Sequence, residues 1–265
     1  LWVVLILAAC ESSAPSARTR AHPGARVVLA AASDTRAAER PLPEDSSIDW
    51  HANSTMRVLG NVALTLEDSE YTYGLLVNEK QGIYRFDCSG MAQWVLRRSA
   101  PTAAAAIAYK LDGRPLARDF QRRIARAPTD KPRNGWRRIA RVSDALPGDV
   151  IAWLKPVEIR SPNTGHVAFV VLPPVLAPGY ENAYLVRIAD STRLLHHDDT
   201  REGRSGFGFG TILVVADPDT DAPIAYGWVA LEWRAFETAI SIGRPVTSPD
   251  AARVPKKPIA AEKVP

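Results

Sequence analysis

The sequence predicts an α+β fold in which a helical first half precedes a run of antiparallel strands, on three observations. Apolar residues recur at helical spacing over residues 51–66, at Met56, Leu59, Val62 and Leu66. Short β-rich runs separated by Pro, Gly, Asn and Asp fill the second half. The helices precede the strands instead of alternating with them, which argues against a doubly wound parallel sheet. Length and composition allow one folded unit with extensions: 265 residues, 46% hydrophobic and 23% charged, hold enough apolar side chain for a sizeable core.

At the N-terminus, residues 1–9 are apolar and run into Cys10. They are too few to span a bilayer as a helix. With no initiator Met and no positive flank, they read as the remainder of a truncated signal peptide. Leu7-Ala8-Ala9-Cys10 resembles a bacterial lipobox, which implies lipidation of Cys10 and anchoring to a membrane. Glu11 is not a retention signal of the aspartate type. The expected location is therefore the cell envelope, outside the cytoplasm, facing the periplasm from an outer membrane. Residues 10–47, rich in Ala, Ser, Pro and Arg, read as a flexible tether, and residues 245–265 as a disordered Pro/Ala/Lys tail. The folded domain is then residues 48–244. A net charge of +4, from 33 basic and 29 acidic residues, suits a polyanionic surface such as a cell wall and is too scattered for nucleic acid.

Inside the domain, a second helix is expected from Ser89, with Met91, Trp94, Val95 and Leu96 facing inward. Arg97 and Arg98 complement the dipole at its C-terminal end. Residues 100–126 add further helical pieces. Strands are expected at 150–154, 167–172, 184–189, 211–216 and 224–229, with a sixth at 238–242.

Cys88 sits where the second helix begins, facing unpaired backbone N–H groups and the positive end of the dipole. That position favours a thiolate nucleophile; a buried structural cysteine is the alternative. His166, opening a strand, could take the thiol proton; a structural histidine is the alternative. If residues 173–182 close a hairpin, Asp190 returns beside His166 as the acceptor that orients it; a strand-end turn residue is the alternative. His196-His197-Asp198-Asp199 reads as a solvated loop, because adjacent histidines seldom face one ion, so no metal is expected. Residues 205–210, Ser-Gly-Phe-Gly-Phe-Gly, lack the Lys and Ser/Thr of a phosphate loop and read as a flexible approach to the next strand. Trp136, Trp153, Trp228 and Trp233 are expected in the core or half-buried.

Taken in order, Asp87-Cys88-Ser89-Gly90, Leu146-Pro147-Gly148-Asp149-Val150 and Gly165-His166-Val167-Ala168 resemble the NlpC-type cysteine peptidases of bacterial cell walls. The resemblance covers roughly residues 53–190, and Tyr71-Thr72-Tyr73-Gly74 matches the family's Tyr-x-x-Gly element. It implies a papain-like fold, with N-terminal helices packed on a mainly antiparallel sheet of five to six strands. It also implies peptidoglycan stem peptides as substrate. Cys88 would be the nucleophile, His166 the base and Asp190 the third polar residue, where the family usually has His, Asn or Gln. Tyr71, Asp87 and Ser89 would line the side that receives the substrate's N-terminal part. No cofactor is implied. Residues 100–140 exceed the family pattern and are expected near the cleft, and the region after Asp190 is not explained by it. With Cys10 carrying lipid and Cys88 the chemistry, neither cysteine is left for a disulfide. Two alternatives stay open: an amidase or acyltransferase on another acyl substrate, and a non-catalytic wall-binding lipoprotein.

Overall fold

The computed structural model describes residues 45–107, 113–232 and 234–246. The signal remnant, Cys10 and its lipidation, the tether as far as residue 44, Trp233 and the tail beyond residue 246 lie outside the described residues. Among those described, no helix is long and apolar enough to cross a membrane.

A 3-10 turn at Asp45–Ser47 leads to helix α1 (Ser54–Thr65). Asn53 caps α1 by accepting the Met56 N–H at 3.0 Å, as expected where four N–H groups lack helical partners. Strands β1 (Asp68–Glu70), β2 (Leu76–Asn78) and β3 (Ile83–Arg85) form a small sheet, β1 parallel and β2 antiparallel to β3. Helices α2 (Cys88–Ser99), α3 (Pro101–Ala105) and α4 (Ala117–Ala125) follow.

The remaining strands are β4 (Trp136–Ile139), β5 (Val150–Leu154), β6 (Gly165–Val170), β7 (Val175–Leu176), β8 (Ala183–Thr192), β9 (Gly206–Ala216), β10 (Pro223–Gly227), β11 (Phe236–Glu237) and β12 (Ile240–Pro245). They build one nine-stranded antiparallel sheet in the order β11-β10-β9-β8-β6-β5-β12-β4, with β7 on β8. The class is α+β, as expected. The strand count is not: the sheet has nine strands where five to six were expected, and the helical half contains three more. The extra strands are two to four residues long, too short for an alternating pattern to register.

Alternation along β5 and β6 divides the core. Val150, Ala152, Val167 and Phe169 join Met56, Leu59, Met91 and Val95 under the helices. Ile151, Trp153, Ala168 and Val170 join Ile188, Ile212 and Val214 on the opposite face. His166 follows this second set. Strand β6 pairs with β5 along its length, from Val150↔Phe169 to Leu154↔Gly165, but with β8 only at Phe169↔Ala189 and Val170↔Ile188. Towards His166 the β6–β8 ladder therefore lapses, and the opening admits side chains.

The Leu146-Pro147-Gly148-Asp149-Val150 motif sets this geometry. Gly148 has φ +92°, and a Cβ there would lie 2.6 Å from Asn53 Oδ1. Glycine is required by both conformation and space. The same Asn53 donates Nδ2–H to Pro147 O at 2.8 Å, so one side chain caps α1 and holds the turn. Asp149, buried, accepts the Leu146 N–H at 2.8 Å and a bidentate pair from Arg244 on β12, both bonds 2.8 Å.

The folded unit begins earlier than residue 48. Arg187, on β8 and 1% exposed, is held by Asp45 through Nε–Oδ1 at 2.7 Å and Nη2–Oδ2 at 2.6 Å. It also donates to Asp198 O at 2.6 Å. Among the described residues, Asp45→Ala leaves this guanidinium with only the Asp198 carboxylate, 3.8 Å away. The loss is expected to be about 2 kcal/mol, below the usual figure for a fully buried pair because Asp45 is partly exposed. Differential scanning calorimetry should show Tm lower by about 4–8 °C.

Candidate active site

Helix α2 begins at Cys88 because Asp87 caps it, accepting the Gly90 N–H at 2.7 Å. The cap puts the Cys88 sulfur at the first turn of the helix, next to the mouth of the β6–β8 opening. The backbone N–H groups of Val167 and Ser89 point at that sulfur. Ser191 ties the opposite wall to the same place, donating to Phe86 O at 2.7 Å. The segment that leads into the helix of Cys88 and the strand bearing Asp190 are thus joined directly.

His166 and Asp190 meet across the opening, His166 Nε2 lying 2.6 Å from Asp190 Oδ2, with both residues buried. Nε2 donates, so Nδ1 is the nitrogen left with a lone pair. Among the described residues it makes no hydrogen bond. Gly165 makes the approach possible: its φ is +137°, and a Cβ would sit 1.9 Å from Trp153 O.

The loop read as solvated is partly interior. His196 is 5% exposed and Arg201 3%. His196 Nε2 lies 2.9 Å from the same Asp190 Oδ2, and its Nδ1 lies 3.1 Å from Trp228 O. Arg201 donates to Asp190 Oδ1, to Asp190 O at 2.9 Å, to Gly206 O at 2.8 Å and to Asp199 Oδ2 at 2.5 Å. Trp228 covers the pair, its ring centroid 5.0 Å from that of His166 and 4.3 Å from that of His196.

Residues 205–210 explain how such large side chains fit. Gly206 opens β9, and Asp190 pairs with Gly208 across the β8–β9 ladder. A Cβ on Gly208 would lie 2.6 Å from Arg201 Cγ, and one on Gly210 2.5 Å from His196 Cβ. The glycines leave room on one face of the strand, while Phe207 and Phe209 fill the helical core on the other. The segment is a buried strand, not a flexible approach to one. The glycine at every second position was the sequence signal for this.

Electrostatics follow from burial. Burial opposes ionisation of Asp190, but the charges of Arg201 and His196 and the two imidazole bonds outweigh it and hold the carboxyl well below its usual range. Burial pushes His166 down, aided by the charges of His196 and Arg201 and opposed by the Asp190 bond. Burial, then the Asp87 charge, pushes the Cys88 thiol up to about 12, against the backbone N–H groups of Val167 and Ser89 and with a contribution from Asp190. The expectation that the helix N-terminus favours thiolate is overturned in this resting arrangement. Desolvation and two carboxylates exceed the dipole.

Tyr71, Asp87 and Ser89, expected to line the side that receives the substrate's N-terminal part, sit close to Cys88. Asp87 and Ser89 are buried. Arg114, from the segment beyond the family pattern, takes both Asp87 oxygens at 2.5 Å and reaches Ser89 Oγ at 3.1 Å. Asp87 is therefore already ion-paired. Tyr71 is half-buried, with its phenol raised by burial and by the nearby Cys88 and Asp87 charges. Arg193 Cζ lies 5.1 Å from the Tyr71 ring centroid and 5.6 Å from that of Tyr73. Among the described residues no carboxylate pairs with it.

Coordinating atoms of His166, Asp190 and His196 lie within 4.8 Å of one another, a spacing a metal ion could bridge. The arrangement is instead built around hydrogen. Both Nε2 atoms aim at one carboxylate oxygen, and the Arg201 cation occupies the other, where it would repel a dication.

In comparisons with known proteins, no family model, curated protein or solved structure matches the chain.

With a thiol raised this far, alkylation of Cys88 by iodoacetamide should rise about tenfold per pH unit between about pH 7 and 9. A plateau at the acid end, measured by mass spectrometry, would instead reveal a standing thiolate–imidazolium pair. Arg193 should also favour anionic reagents. Arg193→Ala is expected to lower the iodoacetate-to-iodoacetamide rate ratio roughly two- to fivefold at low salt, with the difference fading as salt is added.

Proposed function

We propose that this chain is a cysteine hydrolase of the NlpC type that cleaves amide bonds in peptidoglycan stem peptides. The observation that carries the reading is Cys88 at the first turn of α2, its sulfur near the Val167 N–H, with His166, the residue before Val167, bonded to buried Asp190. The papain-like assignment rests on the same elements: a cysteine-bearing helix packed on an antiparallel sheet whose strands supply the histidine and its acceptor.

The chemistry needs no group beyond these. His166 Nδ1 takes the Cys88 proton as the sulfur bonds to the amide carbonyl carbon. N–H groups at the start of α2 stabilise the oxyanion. The C–N bond breaks as the same Nδ1–H protonates the leaving amine, leaving a thioester. Water then attacks the thioester, passing a proton through His166 back to the sulfur, and the acid is released. Asp190 keeps the imidazole in the tautomer that leaves Nδ1 bare. The raised thiol means that thiolate forms with the substrate in place.

Envelope location and a lipid anchor at Cys10 belong to the same reading and rest on the N-terminal sequence alone. The occupied Asp87 carboxylate and Arg193, which pairs with no carboxylate among the described residues, favour substrates whose acyl side carries negative charge over those presenting a free ammonium.

Purified stem-peptide fragments of peptidoglycan incubated with the chain should yield defined cleavage products by mass spectrometry. Cys88→Ala should abolish them, and His166→Ala should reduce them at least about 100-fold. Products transferred to an acceptor amine, with no free acid, would make the protein an acyltransferase. Absence of any Cys88-dependent product would remove the hydrolase reading.

A further inference from the structure

We infer that His196 is a positioning residue for the catalytic pair: a buried imidazolium, clamped between Asp190 and the Trp228 carbonyl, that fixes Asp190 on His166 Nε2 and keeps His166 neutral with Nδ1 free. The inference rests on the hydrolase reading only for the use to which His166 is put.

Two observations support the charge. First, both ring nitrogens of His196 face acceptors: Nε2 faces Asp190 Oδ2 at 2.9 Å and Nδ1 faces Trp228 O at 3.1 Å. A neutral ring has one N–H and would set a lone pair against one of these oxygens; only the doubly protonated ring satisfies both. Second, charge balance requires it. Asp190 and Asp199 are buried at their carboxylates, with side chains 0% and 4% exposed, and Arg201 is the guanidinium that bridges them. Two anions and one cation leave an uncompensated negative charge in the interior, which is costly. A cationic His196 brings the set to zero.

The surroundings fix the ring in place. The groups facing it are Asp190 from β8, His166 from β6, Asp199, which accepts the His196 backbone N–H at 2.9 Å, Arg201 bound to both carboxylates, and the Trp228 ring. Gly210 of β9 lies directly behind its Cβ. With two imidazoles on one oxygen, Asp190 cannot rotate away from His166 without breaking both bonds. The cation also discourages protonation of His166, whose ring centroid is 6.4 Å away.

Ring-nitrogen NMR of uniformly 15N-labelled protein tests this without a substrate, the five histidines being distinguished by single substitutions. At about pH 7.5 His196 should show both nitrogens protonated, and His166 only Nε2. In His196→Gln, His166 should titrate roughly one pH unit higher, because a nearby cation has been removed. His197→Gln is the control and should leave it unchanged. Gly210→Ala keeps every ionisable group but crowds His196, and should weaken the His196–Asp190 bond and shift His166 in the same direction. Where stem-peptide cleavage is measurable, His196→Gln should lower kcat about tenfold with KM nearly unchanged, and the acid limb of the rate should move up with His166. A neutral His196 in the wild-type spectrum, or a His166 titration indifferent to His196→Gln, overturns the inference. Should His196→Gln fail to fold, the wild-type spectrum alone decides. A wild type that cleaves no stem peptide while the ring spectra come out as expected defeats the peptidase reading and leaves the His196 assignment standing.

Discussion

Asp190 is the group around which the rest of this structure is arranged. Its carboxylate is wholly removed from water, and a bare anion there would not be tolerated. Two imidazoles and a guanidinium meet it instead. Each partner imposes its own demand on the chain. His166 needs β6 to part from β8 after two paired positions. Arg201 and His196 need a strand face without side chains, which β9 supplies at Gly208 and Gly210. The helix bearing Cys88 must then be docked to the same strand, and Ser191 does this through Phe86 O. The placing of Cys88 and His166 around Asp190 follows from how one buried charge is compensated.

That compensation distinguishes this centre from one in which thiolate and imidazolium pre-exist as a pair. Here the positive charge beside the carboxylate belongs to groups that do not exchange protons with the sulfur. In the proposed hydrolase the base is left neutral and the nucleophile capped by its proton until a carbonyl arrives. A protonated thiol also resists oxidation, since the thiolate is the form that oxidises.

What could be read from the sequence follows the range of the forces involved. Helices α1 and α2 and strands β5, β6, β8 and β9 show in local periodicity, and Cys88 and His166 each stand next to a residue that makes a local cap or turn, Asp87 and Gly165. Strands β1 to β3, β4, β7 and β11 do not show, because two to four residues contain too little alternation. His196 and Arg201 were missed for a different reason. Nothing near them in the chain requires burial; their partners come from the β8–β9 register, which sets Asp190 opposite Gly208. The state of the Cys88 thiol was misjudged because the helix terminus is visible in sequence while the desolvation around it is not. Arg114 illustrates the same limit: its separation from Asp87 in the chain gives no sign that it pairs with that carboxylate.

The Asp45–Arg187 pair has a mechanical meaning as well as a thermodynamic one. Asp45 is the first described residue, and Arg187 lies on the strand that carries Asp190, three residues before it. Tension on the chain ahead of Asp45 is therefore delivered to the middle of an interior strand, across a two-point ionic clasp, before it can reach α1. Strand β8 is flanked by β6 and β9 and resists such a load in shear along a ten-residue ladder with β9. An edge strand would instead unzip one bond at a time. The N-terminal end of this fold is fastened like a strap to its central beam, so a pull from outside would be borne by the strand that supports the buried Asp190 carboxylate.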